Sequence, residues 1–264
     1  RADRKAWHYG PGFDPARAAE QHKAFAELVA ASGATVEWLP DNDDGLSDSV
    51  FTHDPSLMTE AGAVILSMGK ALRLAEPALH AATYERLGIP ILGRVEAPGQ
   101  VEGGDCVWVD DKTLAIGRGV RTNQAGIEQI AAILAPLGVT VLGYDLPLWM
   151  GEEACLHLMS VISPLDDDLA LVHSPLLPAA FYQLLKARGI ALVEGDPDEF
   201  RDSNGLSLNV LPTSPRDVIM VAGFPRTKAA MEAAGCRVRE FEADALCIAC
   251  EGGPTCLTRP VLRG

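Results

Sequence analysis

No apolar run in this sequence is long enough to cross a bilayer. Stretches such as 36–39 and 218–222 stop far short of the roughly 20 residues that a spanning helix needs. The first residues carry no apolar leader core, so the chain reads as a cytoplasmic protein with no membrane partner. Cysteine is sparse: six, at 106, 155, 236, 247, 250 and 256, show no framework spacing, which excludes a disulfide scaffold. Positive charge is short as well. With 22 Lys and Arg against 36 Asp and Glu, the formal net charge of -14 excludes a nucleic-acid surface and favours a small cationic ligand in a negative cleft. A Walker loop is missing, and Gly117-Arg118-Gly119 has no further glycine in register for a dinucleotide site, so no cofactor is expected. Cys247 and Cys250 have the spacing of a zinc or redox pair, but no second pair answers them and no metal is expected.

What is present is enough apolar residue for a sizeable core, 48% of 264 positions, and a recurring phrase. Amphipathic helical runs at about 15–32, 77–87, 123–137, 176–188 and 225–234 each stop at a glycine: Gly33, Gly88, Gly138, Gly189 and Gly235. Their spacings are 55, 50, 51 and 46 residues. A strand candidate follows each, at 35–39, 89–92, 139–142, 190–193 and 237–241, with further strand-like runs at 107–109, 113–116, 169–172 and 217–221. Five units of about 50 residues, each of strands plus one helix, point to a closed radial α/β array with a site at its centre. Helix, glycine and strand also recur in ordinary α/β proteins, and the first unit is short, with a strand lost or lying outside this numbering.

Chemistry-bearing residues gather in segments without helical periodicity. Glu102-Gly103-Gly104-Asp105 precedes a strand candidate; paired glycines let backbone approach a ligand and two carboxylates flank them, although Gly-Gly-Asp also reads as a hairpin turn. Asp48-Ser49-Val50-Phe51-Thr52-His53-Asp54 sets carboxylates at both ends of a strand-like run. His157 stands in an apolar setting, where a satisfied core histidine is the ordinary reading. Cys256, in the loop Gly252-Gly253-Pro254-Thr255-Cys256, differs from the other thiols in being reachable. A loop cysteine and a distant histidine form a candidate nucleophile and acid/base pair.

Taken in order, Asp48 to Asp54, Arg73, Glu102 to Asp105, the Arg121-Thr122-Asn123 run, His157 and Gly252 to Cys256 resemble the amidinotransferase superfamily, in its dimethylarginine dimethylaminohydrolase and arginine deiminase branch. The resemblance implies a five-bladed α/β propeller over residues 1–264 as one domain. It implies Cys256 as nucleophile, His157 as general acid and then base, and Asp54 and Glu102 as the carboxylates that grip a guanidinium. It further implies that Arg73 and Arg121 bind a substrate carboxylate, Asp48 meets the substrate amino group, and Asp105 braces the loop. The expected partner is a small cationic guanidine, with a homodimer admitted by the same likeness.

Two positions depart from the family pattern. Met159 stands two residues after the histidine, where arginine deiminases carry aspartate, and would tolerate an alkylated nitrogen. His53 stands where dimethylarginine hydrolases commonly carry glutamate. An amidinotransferase, a hydrolase of another guanidino or ureido compound, and a noncatalytic binding protein on the same propeller are the alternatives, the last disfavoured by the cysteine, histidine and carboxylates together.

Overall fold

The computed structural model describes residues 4–40, 45–151 and 155–262. Asp14 opens the first helix, α1 (Pro15–Ala30), by accepting from the backbone N–H groups of Ala16 and Arg17 at 2.9 and 3.2 Å, with Pro15 in the first turn where its missing N–H costs nothing. The helix buries Ala18, Gln21 and Phe25, three residues of one face.

Four three-stranded sheets follow, all built alike: β1 (Ser56–Thr59), β2 (Gly62–Ile65) and β3 (Ile91–Arg94); β4 (Cys106–Asp110), β5 (Thr113–Arg118) and β6 (Thr140–Asp145); β7 (Ile162–Asp166), β8 (Leu169–Val172) and β9 (Ala191–Glu194); β10 (Leu211–Ser214), β11 (Asp217–Val221) and β12 (Arg237–Phe241). In each, the first strand pairs antiparallel with the second, and the second pairs parallel with the third. A parallel pair needs a crossover. It is supplied in turn by α2 (Glu76–Leu87), α3 (Gln124–Leu134), α4 (Ala179–Ala187) and, after the short α5 (Pro197–Asp202), α6 (Pro225–Ala233). The middle strands are covered on both faces and read as near-continuous apolar runs such as Leu114-Ala115-Ile116.

The five glycines behind the helices all have positive φ, from 70° at Gly88 to 94° at Gly33, a conformation that costs an L side chain dearly. The helix-glycine-strand phrase is therefore real in four repeats. The first differs. No strand forms over 35–39: residues 34–40 carry no ladder and Trp38 is 55% exposed. A strand needs a partner edge, and α1 instead packs on the turn Asp244–Ile248, where Gln21 Oε1 accepts from Ala245 and Leu246 N–H at 3.1 and 3.0 Å and Arg17 meets Asp244.

The chain divides into two units by its contacts: a first of Leu39–Met159, Pro178–Tyr182 and Thr258–Gly264, and a second of Arg1–Trp38, Ser160–Leu177 and Gln183–Leu257. The first holds β1–β6, with a core of Leu57, Val64, Leu66, Leu114, Ile116 and Ile130. Each such side chain stabilises the fold by roughly 1.5–3 kcal/mol through apolar burial. The second holds α1 and β7–β12, where Ser163 Oγ donates to Leu208 O at 2.6 Å and Arg216 bridges Asp166 and Asp168. No helix among the described residues is long and apolar enough to cross a membrane.

Candidate active site

In the first unit the polar residues sit at equivalent points of the two repeats. Asp54 lies just before β1 and Asp105 just before β4, while Arg73 follows β2 and Arg121 follows β5. The segment from Asp48 to Asp54 is not a strand as expected. It begins as a tight turn, Ser47–Val50, closed by the Phe51 N–H donating to Asp48 O at 2.8 Å.

Asp54 is buried and accepts from Arg73 Nη1 at 2.7 Å and from the Gly104 N–H at 2.9 Å. Burial works against its charge, but the Arg73 guanidinium, with His157 beside it, holds the carboxyl well below the usual range. The Gly103-Gly104-Asp105 turn runs close over this carboxylate. A side chain at Gly103 would strike the His53 carbonyl, and a Cβ at Gly104 would lie 2.9 Å from the His157 ring, so both glycines are needed for close approach.

Glu102 has no exposed surface; its Oε1 accepts from the Gly69 and Lys70 N–H groups at 2.9 and 3.1 Å and from Arg121 Nη1 at 3.3 Å. His157 Nε2 lies 3.4 Å from Glu102 Oε2 and 3.4 Å from Cys155 Sγ, and its Nδ1 lies 3.3 Å from Asp105 Oδ2. Asp105 is itself fixed by Thr122 Oγ1 at 2.6 Å and the Leu158 N–H at 3.0 Å. Burial opposes the imidazolium, but Cys155 and the Asp105 carboxylate raise the His157 pKa well above the ordinary value.

Arg73 differs from its expected role toward a substrate carboxylate. All three of its nitrogens are turned onto the protein: Nε to Glu76 at 2.9 Å, Nη1 to Asp54, and Nη2 to the Phe51 carbonyl at 2.9 Å. It is 4% exposed and acts here as the clamp of Asp54. Arg121, whose side chain is 22% exposed, keeps a face toward solvent. Asp48 is paired with the Lys70 ammonium at 2.6 Å. His53 is a neutral ring: burial, with Arg259 adding to it, pushes its pKa down to about 3, and Nδ1–H donates to Thr258 O at 3.1 Å.

Cys256 belongs to the second unit, half-buried in a turn after two glycines. Asn209 Nδ2 donates to its sulfur at 3.0 Å, while Asn209 Oδ1 accepts the Thr255 N–H at 2.9 Å, which settles the orientation of the amide. Thr255 Oγ1 donates to Val210 O at 2.7 Å, and any side chain at Gly253 would run into Asn209. The loop and the amide are thus built around the thiol. The sequence reading missed Asn209; the repeat was the available signal, because Asn209 precedes β10 by the two positions that separate Asp54 from β1. A hydrogen bond to a charged sulfur contributes about 1.5–3 kcal/mol, so Asn209→Ala should slow alkylation of Cys256 by iodoacetamide at neutral pH by about tenfold or more. Peptide mapping of the alkylated protein reads this directly; an unchanged rate would remove Asn209 from the site.

Comparison with known proteins places this geometry in a family. The arginine deiminase family model matches residues 43–188. Over 246 residues the chain is 32% identical to N(G),N(G)-dimethylarginine dimethylaminohydrolase of Pseudomonas aeruginosa, covering 93% of this chain and 89% of that protein. The protein of the same name from Streptomyces coelicolor is 35% identical over 175 residues, 65% of this chain and 64% of that one. A solved structure of the Pseudomonas aeruginosa protein, a cysteine-to-serine mutant complexed with citrulline, aligns with a TM-score of 0.78 at 27% identity, covering 97% of this chain and 94% of that one. By model match and by identity across its length, this chain belongs to the arginine deiminase family, in the branch that includes the dimethylarginine dimethylaminohydrolases.

Proposed function

We propose that the protein is a cytoplasmic cysteine-dependent hydrolase that cleaves a C–N bond of a small substituted guanidine, with Nω,Nω-dimethylarginine as the type substrate and citrulline and dimethylamine as its products. The observation that carries the reading is the pairing in one unit of two buried carboxylates, Asp54 and Glu102, with a histidine that lies 3.4 Å from Glu102 and 3.3 Å from Asp105. A guanidinium is resonance-stabilised and resists attack. Carboxylates on its N–H groups localise the charge and make the central carbon electrophilic.

The thiolate of Cys256 adds to that carbon, its charge favoured by the Asn209 amide. As the C–N bond to the substituted nitrogen breaks, His157 gives its proton to the departing amine, leaving an S-alkylthiouronium. His157, now neutral and oriented by Asp105, takes a proton from water as the oxygen adds to the same carbon, and collapse expels the thiolate and frees a urea. Every atom comes from the chain, the guanidine and water. Asp54, held by Arg73 and Gly104, uses two of its roughly four lone-pair sites and keeps the others for the substrate. Arg121 is the group that faces a substrate carboxylate.

With this reading goes the five-bladed α/β propeller as one domain over residues 1–264. Its support is the set of four sheets of one topology, plus a fifth helix-and-glycine element at α1. The test is incubation with dimethylarginine, monomethylarginine, arginine and guanidinoacetate, with ureido product and released amine assayed by mass spectrometry. A ureido product with an alkylamine is expected; a folded protein inert toward every guanidine would overturn the reading.

A further inference from the structure

A histidine that gives and takes a proton must present one ring nitrogen to the reactants while the protein holds the other. In His157, Nδ1 is the held nitrogen: Asp105 Oδ2 lies 3.3 Å away and is itself tied to Thr122 Oγ1. Nε2 faces Glu102 Oε2, on the carboxylate assigned to the guanidinium, at 3.4 Å. That contact is long for a charge-assisted N–H···O bond, which closes to about 2.7–2.9 Å. Cys155 Sγ also stands 3.4 Å from Nε2, an ordinary hydrogen-bond length for the larger sulfur atom.

The segment itself brings the thiol there. Cys155 and His157 flank the buried Leu156 in extended chain, where alternate side chains point to the same side. The next residue, Leu158, donates its N–H to Asp105 Oδ1 at 3.0 Å, so the carboxylate that holds Nδ1 also anchors the backbone beside the sulfur. Other charged and titratable groups surround the ring. Asp54 lies across Gly104, Arg121 lies on Glu102 at 3.3 Å, His53 is neutral, and burial, with Asp105, pushes the Cys106 thiol up. Burial works against an imidazolium here, and Cys155 is the largest influence opposing it, ahead of Asp105.

We infer that Cys155 is a positioning residue for His157, its sulfur holding the ring by Nε2 so that this nitrogen serves the departing amine and then water. The consequence for turnover rests on the hydrolase reading above. A guanidinium arriving on Glu102 offsets the pull of that carboxylate on Nε2, and the sulfur is the contact that keeps the ring in place. Cys155 thus differs in task from Cys256: it acts through the histidine and forms no bond to substrate carbon.

The test uses Cys155→Ala and Cys155→Ser. With Nω,Nω-dimethylarginine, kcat of Cys155→Ala should fall by about tenfold or more while KM stays within about threefold, since the lost contact acts on proton transfer. His157 must hold a proton to release the amine, so activity is lost as the pH rises through its pKa, and in Cys155→Ala that alkaline limb should move to lower pH. In the free protein, the His157 imidazole followed by NMR should likewise titrate at lower pH in Cys155→Ala than in wild type. Cys155→Ser, whose hydroxyl can still hydrogen-bond Nε2, should recover most of kcat. An unmoved His157 titration in Cys155→Ala, or a Cys155→Ser protein no more active than Cys155→Ala, overturns the inference and leaves the hydrolase reading intact. Inertness of the wild type toward every guanidine overturns that reading, and the titration of the free protein still decides the pairing.

Discussion

Serine in place of Cys256 should lower turnover of any guanidine substrate by about 10⁴-fold or more, since loss of a nucleophile removes the covalent path and leaves only binding and charge stabilisation. The hydroxyl is nearly the same size as the thiol, and it can still accept the Asn209 amide hydrogen bond. The loop is tied by other groups: Thr255 to Val210, and the Leu257 N–H to Gly253 O at 3.1 Å. The melting temperature should therefore stay within about 2 °C of wild type, because the exchange of sulfur for oxygen at a half-buried position keeps the Asn209 hydrogen bond. Circular dichroism melts alongside the activity assay separate the two effects. Activity within tenfold of wild type in a folded Cys256→Ser protein would show that the nucleophile is another group.

The second large effect is on stability. Arg73→Met should destabilise the protein by about 3–5 kcal/mol, because it leaves the buried carboxylates of Asp54 and Glu76 without their cation. For a chain of this size that corresponds to a fall in melting temperature of about 10 °C. Activity should fall as well. Without the guanidinium that opposes burial, the Asp54 carboxyl shifts upward toward protonation and loses its grip on a cationic substrate, which raises KM. In the wild-type protein the folded pKa of Asp54 lies below its unfolded value of about 3.9, so its pairing stabilises the fold at neutral pH and that contribution is lost only as the pH falls below 3.9. Arg121→Met is the control. Its partner Glu102 keeps the Gly69 and Lys70 N–H groups and His157 beside it, so loss of Arg121 should destabilise less than loss of Arg73 while still weakening substrate binding. Equal melting shifts in the two variants would contradict the burial argument.

The repeat was legible because its signals are local. A glycine that must adopt positive φ behind an amphipathic helix leaves the same mark wherever it occurs, and all five glycines named from the sequence have that conformation. The strand at 35–39 failed for a non-local reason: a β-rich composition makes no strand without a neighbouring edge, and what α1 packs against lies more than 200 residues away, at 244–248. The Asp48–Asp54 run failed because Arg73 draws on the Asp48 and Phe51 carbonyls, a demand invisible in the run itself.

Site residues followed the same division. Glu102, Asp105 and His157 stood out by their glycines and apolar setting, and in the first unit they do meet. Apart from Glu76, three residues from Arg73, the partners that set the inward turn of Arg73, the neutral state of His53 and the Lys70 ammonium on Asp48 lie 19 or more positions away. Asn209, an ordinary asparagine by composition, becomes notable only when the repeats are laid over one another.

The central claim is that carbon–nitrogen cleavage passes through a covalent bond to Cys256. Rapid acid quench during turnover of Nω,Nω-dimethylarginine, followed by intact mass and peptide mapping, tests it most directly. The account predicts a transient adduct of substrate less dimethylamine on the peptide bearing Cys256, lost once substrate is consumed and never formed by Cys256→Ser. An adduct carried by Cys155 instead, or steady turnover with no adduct at any quench time, would contradict it.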